Sequence, residues 1–274
     1  MRRVWPIMPS ASYPWKFAPL NRPFSPRPEV RKLEGIVFDM DGTLCEPQNY
    51  MFAEMRSALD ISKATDILEH VYSLPTSEQQ QHAMGLIRAI ESRAMVSQVA
   101  QPGLVELMTY LDTRNIRKGI CTRNFDAPVQ NLLTKFLTGT TFGPIVTREF
   151  RPPKPDPAGI LHIARSWGLV RKSTGEAGVP AYFVEGESEG KGGSQDVADE
   201  PGLQKTEVGE EVADAGGLIM VGDSIDDITA GRRAGARTVL LVNDVNRHLV
   251  THENTDLVIS RLDELIDILE NGKL

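Results

Sequence analysis

Short apolar runs alternate along this chain with stretches whose apolar residues recur every three or four positions. The runs over 35–39, 116–122, 143–147, 218–222 and 237–242 read as strands buried on both faces, being short and almost continuously hydrophobic. Between them, Leu104, Leu107, Met108 and Leu111 fall on one helical face; Ile160, Ile163, Ala164 and Trp167 form a second, and Leu262, Leu265, Ile266 and Leu269 a third. Asn271-Gly272 supplies a C-terminal stop for the last helix. The alternation predicts βαβ units, hence an α/β protein with a Rossmann-like parallel sheet covered by helices on both faces.

Two kinds of segment break this rhythm. Residues 48–100 favour helix, contain a single proline (Pro75) and offer no strand, so they predict a small α-helical lobe inserted after the first strand. Two other stretches differ in composition. Seven of the first 28 residues are proline, interleaved with Trp5, Tyr13, Trp15, Phe17 and Phe24, and residues 1–34 carry a net charge of +5. Proline at that density forbids a continuous helix or a central strand, while the aromatics equip the extension to lie across the domain. Residues 172–216 are rich in Gly, Glu, Asp and Ser, carry a net of −8 and read as a low-complexity insertion, with room for a protein partner. The expected organisation is an extension (1–32), a core (33–47 and 101–274, including the acidic insertion) and a helical lobe (48–100).

With 274 residues, 41% hydrophobic and 24% charged, the chain is long enough for such a core and has an ordinary composition. No apolar stretch approaches the roughly 18 residues of a membrane span, so no membrane partner is expected. The net charge of −7 argues against nucleic acid as a partner. Cys45 and Cys121 are too few for a disulfide framework and predict a reducing, cytoplasmic setting. The basic, acid-poor start leaves a mitochondrial transit peptide as the alternative, although its prolines break the amphipathic helix such a peptide needs. Gly186-Glu187-Ser188-Glu189-Gly190-Lys191 has the wrong spacing for a phosphate-binding loop and reads as linker.

The candidate chemistry lies at the strand ends. In Phe38-Asp39-Met40-Asp41-Gly42-Thr43-Leu44, two carboxylates two residues apart leave an extended strand on the same face. They need a compensating cation or proton, or else the Asp-Gly pair is a simple turn. Thr122 ends the second strand, Lys154 follows the third in Lys154-Pro155-Asp156-Pro157, and Asp223 ends the fourth in Gly222-Asp223-Ser224-Ile225-Asp226-Asp227. Open parallel sheets bind ligands outside the carboxyl ends of their strands, so the four sites would share one cleft. Carboxylates, a hydroxyl, a lysine and a hard metal suit phosphoryl transfer through a carboxylate nucleophile.

These four motifs, in this order, resemble the haloacid dehalogenase (HAD) superfamily, in its phosphatase branch with a helical cap after the first strand, similar to phosphoglycolate phosphatases. The resemblance covers about residues 33–170 and 217–270. It implies a Mg²⁺-dependent phosphomonoesterase acting on a small phosphorylated metabolite. By the same resemblance Asp39 is the nucleophile and Asp41 the general acid/base. Thr43, Thr122, Asn124 and Lys154 would hold the phosphoryl group. Mg²⁺ would be held by Asp39, the Asp41 carbonyl and Asp223. Asp227 would steady the metal shell or Lys154, ahead of its neighbour Asp226. A carboxylic acid at position 41 argues for phosphate over halide chemistry. Two alternatives stay open: a phosphosugar mutase on the same core, and a non-catalytic binding protein that keeps the fold. Arg56, Lys63, Arg88 and Arg93 in the helical lobe are further candidates to meet a substrate anion, set against solvated helix faces.

Overall fold

A computed structural model describes residues 16–27, 30–172 and 211–272 of the chain. After two short segments, β1 (Lys16–Phe17) and β2 (Val30–Arg31), comes β3 (Gly35–Phe38), all four of whose residues are buried. The chain then forms α1 (Asn49–Ala58), α2 (Ile67–Ser73) and α3 (Ser77–Val96), followed by α4 (Leu104–Thr113), β4 (Arg117–Cys121), α5 (Asp126–Phe136), β5 (Ile145–Val146) and α6 (Ala158–Ser166). Next come β6 (Val170–Lys172), β7 (Glu211–Ala213), β8 (Leu218–Gly222), α7 (Ile225–Ala234), β9 (Arg237–Leu241), β10 (Leu257–Ile259) and α8 (Glu264–Asn271). The central sheet has six strands in the order β10-β9-β8-β3-β4-β5, and every pairing in it is parallel.

The two-residue period of β3 sorts its side chains to opposite faces. Ile36 and Phe38 join a cluster with Leu107, Met108, Leu111, Val129, Leu132 and Leu265, so α4, α5 and α8 cover that face. Val37 joins Ile160, Ile163, Met220 and Ala230 on the other face, under α6 and α7. Because both faces are covered, the strands read as unbroken apolar runs. The sheet is thus the predicted parallel α/β core, with five strands where the pattern places them and β10 in addition.

Helices α1–α3 pack around Met51, Met55, Ile67, Val71, Ile87, Ile90 and Ala94, a cluster of their own that Phe125 of the core completes. The segments entering and leaving this insertion run side by side: Glu46 donates its N–H to Val99 O (2.8 Å) and Gln101 to Leu44 O (3.1 Å).

Within the extension, Phe17 is buried in the core cluster and Leu20 donates its N–H to Leu269 O at 2.9 Å. The acidic insertion differs from its expected boundaries. Lys172 and residues 211–216 belong to the fold: β6 pairs antiparallel with β7, and Ala215 is buried. The ribbon springs from the amino-terminal end of the sheet, where the Asp214 N–H donates to Leu169 O (2.9 Å) and the Glu34 N–H to Gly217 O (2.8 Å). Residues 173–210, with the linker around Gly186, lie outside the described residues, as do 1–15 and the transit-peptide reading. No helix among the described residues is long and apolar enough to cross a membrane.

Candidate active site

The sheet order places β3 at a switch point: the chain leaves it toward β4 and β5 on one side and returns to β8 and β9 on the other. Loops on either side of such a point diverge and leave a crevice at the carboxyl ends. A cavity of about 340 Å³ opens there, lined by Asp39, Asp41, Thr122, Asn124, Lys154, Asp223 and Asp227, with α1 and α2 on its far wall.

Asp39 directly follows β3, its N–H donating to Val221 O at 2.9 Å, which keeps it in register with the neighbouring strand. Lys154 Nζ donates to Asp39 Oδ1 and to Asp227 Oδ1, both at 2.6 Å. Burial pushes the Asp39 carboxyl from 3.8 up to about 7 against the pull of Lys154, with Asp227 and Asp41 adding to the rise. Burial works against the Lys154 charge, but Asp227 and Asp39 outweigh it and raise its pKa. The lysine is therefore a fixed cation and no proton donor at neutral pH.

Asp41 is oriented by Asn124 Nδ2, which donates to its Oδ2 at 2.7 Å, and by the Cys45 thiol, 3.4 Å from Oδ1. Burial raises its pKa beyond what those two donors take back. Gly42, at φ +79°, makes the turn. A Cβ there would sit 2.1 Å from Asp223 Oδ2, so only glycine lets the β3 loop approach the β8 carboxylate this closely.

Asp223 follows β8. Burial lifts its carboxyl to about 8, helped by Asp227 and Asp39. Asn243 Nδ2 donates to its Oδ2 at 3.1 Å and Asn246 Nδ2 to its backbone oxygen at 2.6 Å. Asp39, Asp223 and Asp227 each present an oxygen within 4.8 Å of the others. Three oxygen donors crowded against their own repulsion, two of them with raised pKa, form the donor set a hard divalent cation such as Mg²⁺ prefers. Asp227 is already engaged: Oδ1 takes Lys154, and Oδ2 takes the N–H and hydroxyl of Ser224 in the capping box that starts α7. Asp39 and Asp223 are the freer ligands.

The remaining candidates divide. Thr122 is buried on the cavity wall, its N–H on Val146 O and its hydroxyl accepting from Asn124 N. Thr43 is fully buried, is not part of the cavity wall, and its Oγ1 has no hydrogen-bond partner among the described residues. Asp226, also on the cavity wall, pairs with Arg123 at 2.7 Å, while Lys154 takes Asp39 and Asp227. Of the cations in the helical insertion, Arg56 reaches the cavity, Arg88 stacks on Phe125, Arg93 pairs with Glu54, and Lys63 is exposed. Cys45 and Cys121 are both free and buried; Cys121 packs in the core cluster, while the Cys45 thiol also meets Asp41.

Three arginines that the sequence patterns do not mark join the core loops to the insertion. Arg123 bridges Asp226 and, at 2.6 Å, Asp66, the N-cap of α2. Arg148 pairs with Glu91 of α3 and stacks on Phe125. Arg151 lies over the Tyr72 ring. Burial raises Glu91 to about 7 in spite of Arg148.

Fold and strand-end constellation together define the class, and comparison with known proteins agrees. Residues 36–174 match the family model of haloacid dehalogenase-like hydrolases, and residues 198–265 match a second HAD-hydrolase-like model. A hydrolase of Saccharomyces cerevisiae is 37% identical over 247 residues, covering 88% of this chain and 93% of that protein. Among solved structures, a hydrolase from Pseudomonas syringae superposes with a TM-score of 0.60 at 22% identity, covering 86% of this chain and 98% of the other. CbbY from Rhodobacter sphaeroides, solved with phosphate, gives 0.54 at 17% identity, covering 85% and 96%. The chain belongs to the haloacid dehalogenase-like hydrolase family.

Proposed function

We propose that this protein is a Mg²⁺-dependent phosphatase that hydrolyses a small phosphomonoester through an aspartyl-phosphate. The observation that carries this reading is the meeting of Asp39, Asp41, Lys154 and Asp223, from three strand ends, in one cavity. That cavity, about 340 Å³, is at the small end for ligand sites, which favours a compact metabolite.

Lys154 occupies Asp39 Oδ1, so Oδ2 is the oxygen available to attack phosphorus. As the Asp39–phosphorus bond forms, the ester P–O bond breaks, and Asp41, whose pKa burial raises, gives its proton to the departing oxygen. The Asp41 carboxylate then takes a proton from water. That water attacks phosphorus, the Asp39 ester bond breaks, and inorganic phosphate and the free carboxylate are regained. Asn124 and Cys45 hold Asp41 in place for both transfers. The Thr122 hydroxyl and Lys154 are positioned to hold phosphoryl oxygens. Asp39, Asp223 and the Asp41 carbonyl would hold Mg²⁺, with Asp227 fixing Lys154. The metal supplies charge neutralisation between carboxylates and phosphate. Helices α1–α3 act as the cap that excludes water.

The test is phosphate release from a panel of phosphomonoesters with and without Mg²⁺, alongside Asp39→Asn. Release that needs Mg²⁺ and falls at least about a thousandfold in the variant is expected, since the nucleophile itself is lost. Activity that survives Asp39→Asn refutes the mechanism, and isomerised sugar phosphate in place of free phosphate refutes hydrolysis.

A further inference from the structure

The three crowded carboxylates are not held alike. Lys154 grips Asp39 and Asp227, and Ser224 takes the second oxygen of Asp227. No cation pairs with Asp223 among the described residues. Its carboxylate is held instead by a neutral amide, Asn243 Nδ2, which donates to Oδ2 at 3.1 Å, while Oδ1 accepts no hydrogen bond among the described residues.

Asn243 stands in the loop after β9 and is not part of the cavity wall. Its Oδ1 is committed to the backbone, accepting the N–H groups of Val245 at 2.9 Å and Asn246 at 3.1 Å. These two bonds fix which end of the amide is which: the oxygen caps the loop, so the NH2 faces Asp223. Asn246, 6% exposed, braces the arrangement. Its Oδ1 accepts the Asn243 N–H at 2.8 Å, and its Nδ2 donates to the Asp223 backbone oxygen at 2.6 Å and to Leu241 O, at the end of β9, at 3.0 Å. The two asparagines thus hold each other's backbone, and between them they hold Asp223 by main chain and carboxylate.

Carboxylates with oxygens within 4.8 Å of one another repel, so an unheld Asp223 side chain would rotate away from Asp39 and Asp227. A lysine or arginine could prevent that rotation, but its charge would compete with a divalent cation for the same oxygens. A neutral amide orients the carboxylate and leaves its charge for the cation. Hydrogen bonds to ligating groups tune metal sites in this way.

We propose that Asn243, braced by Asn246, is the positioning residue that sets Asp223 for Mg²⁺, holding Oδ2 so that Oδ1 is left to the metal. This deepens the metal-dependent reading above and rests on it. The clasp bears on which ion is favoured as well as on how tightly it binds. Mg²⁺ demands near-ideal geometry of its oxygen ligands whereas Ca²⁺ accepts irregular sets, so loosening Asp223 penalises Mg²⁺ more.

Asn243→Ser tests this, because a serine still offers an oxygen to the loop N–H groups but has no amide to reach Asp223. Mg²⁺ and Ca²⁺ affinities are read without substrate, by displacement of Mn²⁺ whose free signal is followed by electron paramagnetic resonance; the melting temperature in EDTA checks folding. The Mg²⁺ Kd is expected to rise about tenfold or more, the range that loss of a partner to a metal ligand typically produces. The Ca²⁺ Kd is expected to stay within about threefold of wild type. An unchanged Mg²⁺ Kd overturns the proposal and leaves the metal site and the phosphatase reading standing. So does an equal loss for both ions, which makes the loop mere scaffold. Wild-type protein that binds none of the three ions overturns the metal reading and the clasp with it. Asn243→Thr, which also has an oxygen and no amide, repeats the comparison should the serine variant not fold. If neither folds, the loop is scaffold and the proposal is overturned.

Discussion

The three crowded carboxylates make a prediction of unusual sign: without metal, removing one of them stabilises the protein. Asp223→Asn deletes a charge while its amide oxygen keeps the hydrogen bond from Asn243, 3.1 Å away. The Asp223 carboxyl is raised from 3.8 to about 8, first by burial and then by Asp227 and Asp39. A carboxyl whose pKa is higher folded than unfolded binds its proton more tightly in the folded state. Its stabilising contribution is therefore complete below about pH 4 and is lost as pH rises through about 8. At about 1.4 kcal/mol per pH unit, that interval is worth about 6 kcal/mol for the group taken alone. Asp39 titrates against the same neighbours, so the pair shares this cost, and the expected effect of one substitution is on the order of a few kcal/mol. Urea unfolding in EDTA at about pH 5 should find the variant within about 1 kcal/mol of wild type, and at about pH 9 clearly more stable. Added Mg²⁺ should raise the wild-type midpoint at the higher pH and move the variant much less, because it binds only the folded state. An Asp223→Asn protein that is less stable than wild type at about pH 9 in EDTA would refute the account of these carboxylates as an uncompensated cation site.

Two further predictions separate the site from its surroundings. Gly42→Ala places a methyl 2.1 Å from Asp223 Oδ2 at a φ of +79°. It should cost about 1–2 kcal/mol of stability by denaturant unfolding, from the left-handed backbone alone, and weaken activation in a Mg²⁺ titration of turnover by at least about tenfold. Replacing residues 173–210 with Asn-Gly should close the β6–β7 ribbon as a tight hairpin, since Lys172 and Glu211 are already paired. Because the ribbon springs from the end of the sheet opposite the cavity, kcat/KM should stay within about twofold of wild type; a tenfold change would show that the acidic segment gates the site.

What the sequence makes legible follows from how local each feature is. The five strands are written as buried apolar runs, and each strand-end motif needs only its own few residues, so Asp39, Asp41, Thr122, Lys154 and Asp223 are all recognisable from their immediate neighbours in the chain. Strand β10 escapes because Leu257–Ile259 is too short to show a period. The ribbon escapes for the opposite reason: β6 is exposed along its length, so nothing apolar marks it, and its partner lies beyond the acidic segment. The choice between Asp226 and Asp227 turns on helix geometry. Asp227, at the third position of α7, folds back onto Ser224 and so meets Lys154, while Asp226 swings toward Arg123.

The arginines of the core loops are the hardest to read, and the reason is physical. Arg123 and Arg148 find Asp66 and Glu91 each 57 residues away, in an insertion whose docking no local pattern encodes. An arginine in a loop looks like any solvated charge until the second body arrives to bury it. Burial then gives the pair its consequence: a guanidinium and a carboxylate taken out of water tolerate the loss of either partner poorly. Arg148 and Glu91 are 6% and 3% exposed, so this contact exists only while insertion and core are together. Arg123 ties the α2 N-cap to the first turn of α7, the helix that also presents Asp227 to Lys154. Docking of the inserted helices and placement of Lys154 therefore run through one short chain of contacts, Asp66–Arg123–Asp226 on α7 and Asp227–Lys154–Asp39 beyond it. The candidate site residues sit on strand ends that the sequence states outright, while the contacts joining them to the inserted helices sit in long-range ion pairs that only the folded chain brings together.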